Sequence, residues 1–222
     1  MSKYILPITL LFTVLAMFLV CFLRRRKYGV SIPKIVVIVL TVAVSGVVGA
    51  MLMSFVENGR FGGISFYGSI FLVPLTFVLL AKPLKMPLGQ LEDFAMASAC
   101  LALVPVKAGC LLSGCCVGMV LVREGDTVIA RFPSPLAEMA LGVAIFIFLL
   151  WAERSEKSRG LICPLFLFTY GLGRFILNFF RARLPAFVWF IPAGHFWSLI
   201  SMAVGAALFF YVLRKRKREA VA

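Results

Sequence analysis

The chain has 222 residues, is 62% hydrophobic and carries a formal net charge of +14, with a mean hydropathy of +1.04. Soluble domains average about 45–50% apolar residues, so this composition excludes a soluble globule and fits one integral membrane domain, 1–222. The charge does not indicate nucleic acid: Arg24 to Lys27 and Arg214 to Arg218 each directly follow an apolar run, which is where stop-transfer charge and anionic-lipid contacts fall.

Seven apolar runs organise the chain: 4–23, 33–56, 65–81, 92–106, 133–151, 161–180 and 195–213. The first has a lysine before it, as a signal peptide does. It is long, however, lacks a small-residue cleavage site and ends in Arg24 to Lys27, so it reads as a span. Runs 65–81 and 92–106 are shorter than the roughly 20 residues of a straight crossing. They are expected to be broken, re-entrant or extended by their neighbours, with any non-helical backbone buried in protein or lining a wet cavity. The fold expected is an all-α membrane protein, a seven-span helical bundle with partly broken or short spans. Placing the N-terminus outside and the C-terminus in the cytoplasm puts 15 of the 23 Lys and Arg residues on the inner side, as the positive-inside bias requires.

Five polar, glycine-rich clusters fall at the other set of span ends. Residues 59–69 bring Arg60, several glycines including Gly68, and the phenol of Tyr67; glycine lets backbone turn or approach a ligand, although a turn with an interfacial aromatic anchor explains it equally well. Residues 107–118 place Lys107 ahead of Ser113 and Gly114, either a backbone cradle with a cation for a headgroup or a small-residue helix contact with a snorkelling lysine. In the third, Ser134 suits a helix cap, whereas Glu138 lies a turn or more into an apolar helix and needs a cationic partner. In the fourth, Tyr170, Arg174, Asn178 and Arg181 stand at i, i+4, i+8 and i+11, which would place all four on one helical face directed into the bundle. A guanidinium there matches phosphate with a bidentate fork, while a structural Arg174–Glu138 pair is the plainer reading. The fifth holds His195 and Ser198 at the start of the last run.

Of the six cysteines, Cys110, Cys115 and Cys116 fall together. A metal site would normally add histidine, and the single histidine is distant in sequence. Free thiols are the simplest reading, and a disulfide or a metal site remains open. No cofactor and no metal is expected.

Taken in order, the clusters resemble bacterial prolipoprotein diacylglyceryl transferases from about Gly59 to Gly205. Ser65-Phe66-Tyr67-Gly68 is similar to that family's Ser-Phe-His-Gly-Gly, and Lys107 to Gly118 to its Gly-Arg-x-Gly-Asn/Cys-Phe signature in a Cys-Cys form. Pro133-Ser134 with Glu138 resembles Pro-Ser-Gln-x-x-Glu. Tyr170-Gly171-x-x-Arg174-Phe175 with Arg181 resembles Tyr-Gly-x-x-Arg-Phe-x-x-Glu-x-x-Arg, and Gly194-His195-x-x-Ser198 resembles Gly-Gln-x-x-Ser. The departures are Tyr67 for histidine, Lys107 for arginine, Cys110 near the asparagine position, Asn178 for glutamate and His195 for glutamine. The large head domain usual in the family has no room in loop 119–131.

The resemblance implies transfer of diacylglycerol from phosphatidylglycerol, or another anionic phospholipid, to the lipobox cysteine of a prolipoprotein signal peptide. The expected place is the outer side of the bacterial cytoplasmic membrane, in contact with membrane lipids. It assigns catalytic roles to Tyr67, Lys107, Arg174 and His195, and substrate binding to Gly68, Ser113, Gly114, Glu138, Tyr170, Asn178, Arg181 and Ser198. Tyrosine, with an ordinary pKa of about 10, is a weaker base than histidine at about 6.5, but a substrate thiol beside two cations is itself acidified. The alternatives are a divergent relative with another acceptor, a non-catalytic lipid-binding protein, and a small transporter or channel, for which no inner polar path is visible.

Overall fold

A computed structural model describes residues 5–59, 64–182 and 186–219. The helices are α1 (Ile5–Tyr28), α2 (Ile32–Asn58), α3 (Phe66–Ala81), α4 (Leu88–Leu101), α5 (Leu103–Leu112), α6 (Ser134–Ala152), α7 (Ile162–Asn178) and α8 (Ala193–Glu219). A hairpin of β1 (Val120–Glu124) and β2 (Thr127–Arg131) joins α5 to α6, and a shorter one, β3 (Ala186–Val188) with β4 (Ile191–Pro192), precedes α8. Counting α4 and α5 as one broken crossing, the all-α seven-span bundle holds. Five of the segments are long and apolar enough to cross a bilayer, and α3 and α7 are shorter apolar helices of 16 and 17 residues.

The expected 92–106 run is longer than its hydropathy suggests, 88–112, and it breaks at Ala102. Pro105 explains the break: it has no N–H to give the carbonyl of Leu101, and its ring crowds that carbonyl. Lys107 lies inside α5 instead of after the helix.

Helix α4 is the centre of the bundle. Leu91, Phe94, Ala95, Met96, Ala97 and Cys100 are all buried, and α4 packs on α1, α2, α3, α5, α6 and α7. Around it, two helix pairs close through small residues, the usual means of bringing backbones together where lipid supplies no hydrophobic drive. In the α2–α3 pair a Cβ on Gly68 would lie 1.8 Å from the Gly49 carbonyl oxygen, and Ser69 Oγ donates to Gly46 O at 2.6 Å. In the α7–α8 pair Gly205 faces the backbone of Pro164 and Phe168, and Ser201 Oγ donates to Leu167 O at 2.8 Å.

The basic stretch that ends α1 binds within the protein. Arg24 donates to the carbonyls of Phe94 at 2.5 Å and Asp93 at 3.0 Å and pairs with Glu153 at 2.5 Å. Lys27 and the Tyr28 hydroxyl reach the same carboxylate. The Asp93 carboxylate in turn accepts from the backbone N–H groups of Gly160 and Ile162, where α7 begins. One end of the bundle is thus clasped across α1, α4, α6 and α7, and the polar clusters named above gather at the opposite end.

Gly68→Ala should lose about 1–3 kcal/mol of stability through overpacking of the α2–α3 crossing. Thermal unfolding of the detergent-solubilised chain measures it, and an unchanged midpoint would contradict that crossing.

Candidate functional site

Three helices present charge to one point. Lys107 on α5 places Nζ 2.5 Å from Glu138 Oε2 on α6, and Arg174 on α7 binds Oε1 of the same carboxylate through Nη1. The three are 6%, 1% and 5% exposed. Local sequence brings them together. Pro135 lies within the first turn of α6, where its missing N–H costs nothing, so Glu138 comes one turn into the helix. Gly173 lets α7 approach Leu141 of α6, since a Cβ there would lie 2.3 Å from Leu141 Cδ1. Gly142 receives Leu103 of α5 on its other neighbour's side, with a Cβ position 3.1 Å from Leu103 Cδ2.

A neutral hydrogen-bonded group adjoins this triad. The hydroxyls of Tyr67 on α3 and Ser198 on α8 lie 2.5 Å apart, and both reach the Gly194 carbonyl, at 3.0 and 2.7 Å. Either hydroxyl can donate to the other, leaving the second proton for Gly194 O. Asn178 Nδ2 donates to Ser198 Oγ at 3.3 Å. The Tyr67 ring meets the Tyr170 ring edge-on, with centroids 6.2 Å apart, and its hydroxyl faces the charge of Arg174. Two buried atoms of the site have no hydrogen-bond partner among the described residues: the Nε–H of Arg174, a donor, and Oδ1 of Asn178, an acceptor. A buried polar group left unpaired is costly, so these two atoms are the unmet hydrogen-bonding capacity of the site.

Tyr67, Lys107, Glu138, Tyr170, Arg174, Asn178 and Ser198 therefore meet. The remaining predicted residues do not join them. Helix α7 ends at Asn178, and its last carbonyls close into tight i to i+3 turns through Phe179, Phe180 and Arg181. Arg181 therefore leaves the helical face shared by the other three and pairs by backbone with Gly118. Met119 N–H adds a bond to the Phe180 carbonyl, tying the β1–β2 hairpin to the end of α7. His195 packs edge-on against Phe175 and Phe179, with centroids 5.3 and 4.7 Å away, and its ring nitrogens have no hydrogen-bond partner among the described residues. Gly68 is occupied by the α2–α3 crossing. Ser113 Oγ bonds back to Gly109 O at 2.7 Å. Gly114, at φ +63, instead lines a separate open pocket of about 180 Å³ with Leu111, Cys115, Gly118, Arg131 and Pro133. Arg60 lies outside the described residues.

Glu57 escaped the sequence reading. Its carboxylate accepts from Ser65 Oγ at 2.8 Å and lies within electrostatic reach of Arg181 and Arg174. Its signal was the same as that of Glu138, an acid at the end of an apolar run. Beyond α5, the Cys116 thiol is held at about 5, below its ordinary value, by a hydrogen bond from the Cys110 thiol and by the charges of Lys107 and Arg181.

A multi-pass helical bundle that buries two cations around one carboxylate, beside a network of hydroxyls, is an integral membrane protein with a polar centre at one end. Its relatives specify it further: the prolipoprotein diacylglyceryl transferase family matches residues 4–211, and the chain belongs to that family. It is 31% identical over 170 residues to the phosphatidylglycerol–prolipoprotein diacylglyceryl transferase of Teredinibacter turnerae, covering 69% of this chain and 57% of that one. Against the protein of the same name from Chromohalobacter salexigens it is 33% identical over 159 residues, 66% of this chain and 59% of the other. Similarity to phosphatidylglycerol–prolipoprotein diacylglyceryl transferase 2 of Clostridium perfringens is 23% over 222 aligned positions, 89% and 87% of the two chains. The chain thus spans somewhat under three-fifths of the length of the first two.

Glu138→Gln leaves two buried cations without their anion and should cost about 3–5 kcal/mol. Tyr67→Phe removes hydrogen bonds while keeping the ring packing and should cost about 0.5–1.5 kcal/mol. Denaturant titration in detergent distinguishes the two, and equal losses would mean that Glu138 is not the anchor of the site.

Proposed function

We propose that this protein is an enzyme of the bacterial cytoplasmic membrane that transfers the diacylglyceryl group of phosphatidylglycerol to the lipobox cysteine of a prolipoprotein. The reaction would occur at the outer side, with the N-terminus outside and the C-terminus in the cytoplasm. Family membership and the names of the relatives support the reaction, and the Lys/Arg distribution supports the orientation. The observation that carries the reading is the Lys107–Glu138–Arg174 triad. One carboxylate serves two cations, so a formal charge of +1 remains in a low-dielectric site where a phosphate would meet it.

In the transfer, the substrate sulfur forms a bond to the terminal glycerol carbon of the diacylglyceryl group. The bond from that carbon to the phosphate oxygen breaks, and its electron pair leaves with glycerol phosphate. The thiol proton is given up to solvent or to the departing phosphate. Lys107 and Arg174 would stabilise the charge that grows on the leaving phosphate, a contribution that preorganised donors make without moving. Glu138 holds both in place. Arg174 Nε–H and Asn178 Oδ1 offer a donor and an acceptor for phosphate oxygen and headgroup hydroxyl. Tyr67 and Ser198 would order the nucleophile beside the cations, which acidify a thiol. His195, turned against two phenylalanines, has no part in these steps.

That position of His195, with Tyr67 where the family carries histidine, also favours a second reading, a lipid-binding member without turnover. The assay that decides uses purified protein, phosphatidylglycerol vesicles and a lipobox peptide, with lipidation followed by mass spectrometry. The transferase reading expects turnover, and a loss of about 10²–10³-fold for Lys107→Met or Arg174→Gln. Full activity of Lys107→Met would defeat the role given to the triad. Bound phosphatidylglycerol without any product would establish the second reading, and product appearing only in Tyr67→His would identify a decayed enzyme.

A further inference from the structure

The three cysteines at the end of α5 have no part in the triad, yet they are arranged as a ligand set. Cys110 lies in the last turn of the helix, and Cys115 and Cys116 follow its end. The chain folds back on itself there: Ser113 N–H bonds Gly109 O, Gly114 N–H bonds Leu111 O, and Cys115 N–H bonds Cys110 O. Gly114 takes φ +63 as the turn demands, and Cys116, a residue with a side chain, also sits in the left-handed region at φ +59. The result is that the sulfur atoms of all three lie within 4.8 Å of one another, each half-buried. The other three cysteines, Cys21, Cys100 and Cys163, are buried singly.

We propose that Cys110, Cys115 and Cys116 form a three-thiolate site for one thiophilic d10 metal ion, zinc(II) or copper(I). Thiolate is the ligand that selects these ions over hard cations. With metal–sulfur bonds of about 2.3 Å, three sulfurs around one ion stand about 3.8–4.0 Å apart, so the trio reaches that geometry by closing less than about 1 Å. A disulfide would need one pair to close to about 2.05 Å and would strand the third thiol. Binding releases up to three thiol protons to solvent and leaves a complex of net charge −1 with zinc(II) or −2 with copper(I). Lys107 and Arg181, both within electrostatic reach of Cys116, offset that charge. The pocket lined by Gly114, Cys115 and Arg131 gives an ion a way in and leaves room for water as a further ligand, as in zinc sites with three protein ligands. The site does not depend on the transferase reading.

The full chain, purified in detergent, reduced and freed of metal under anaerobic conditions, is titrated with cobalt(II) as the probe. The site predicts one equivalent bound, with near-ultraviolet sulfur-to-cobalt charge transfer that zinc(II) or copper(I) abolishes; the ion that displaces at the lower free concentration is the preferred one. Cys110→Ser, Cys115→Ser and Cys116→Ser should each lose the band. In the wild-type chain, which needs no variant to fold, peptide mapping after alkylation should find these three thiols shielded together by zinc(II) or copper(I) and exposed again by a chelator. Absence of the band, its survival in Cys115→Ser and Cys116→Ser, three thiols alkylated equally with and without metal, or a disulfide within the trio of the protein as purified would each overturn the proposal.

Discussion

A charge inside a bilayer has to be answered by the protein that carries it, and this bundle answers two cations with one acid. Glu138 stands between Lys107 and Arg174, and each of the three comes from a different helix. Removing water makes the attraction strong and makes any unpaired member expensive, so α5, α6 and α7 are held at fixed distances by the same interaction that equips the site. The glycines follow from this. Gly142 and Gly173 stand where these helices touch, because side chains on long-range partners meet only if the backbones approach.

The seven spans were legible because apolar runs of 15 residues or more have few other meanings in a chain this hydrophobic. The seam between α4 and α5 was hidden in the pattern, since hydropathy does not register that Pro105 lacks a donor. The polar stripe of α7 was legible as far as Asn178. Helical periodicity then overran the real end of the helix and carried Arg181 with it, because Phe179 and Phe180 suit a helix as well as a turn. The Arg174–Glu138 pair was suggested by the cost of each charge alone, whereas Lys107 as a second partner of Glu138 was not.

What spacing could not show was where hydrogen bonds go once the helices pack. His195 looked like the better base by intrinsic chemistry, and it turned towards Phe175 and Phe179. Gly68 looked like a place for ligand and proved to be a place for Gly49. Glu57 and Ser65, eight positions apart, formed a pair that spacing alone does not signal. Each of these outcomes depends on which neighbour arrives from another helix, and that information is spread over the whole chain.

The clasp at the opposite end bears on how the protein is made. Arg24 emerges from the ribosome early, but its carboxylate, Glu153, lies 129 positions later, and the Phe94 and Asp93 carbonyls it also binds are 70 and 69 positions away. Before those residues are made, the partner that Arg24 finds within its own helix is the Tyr28 hydroxyl, at 3.4 Å. Only when α6 has inserted does Glu153 take over. Helix α1 is thus made before its long-range partners and locked only once Glu153 is in place, so its locking reports that the helices carrying Lys107 and Glu138 have already been made.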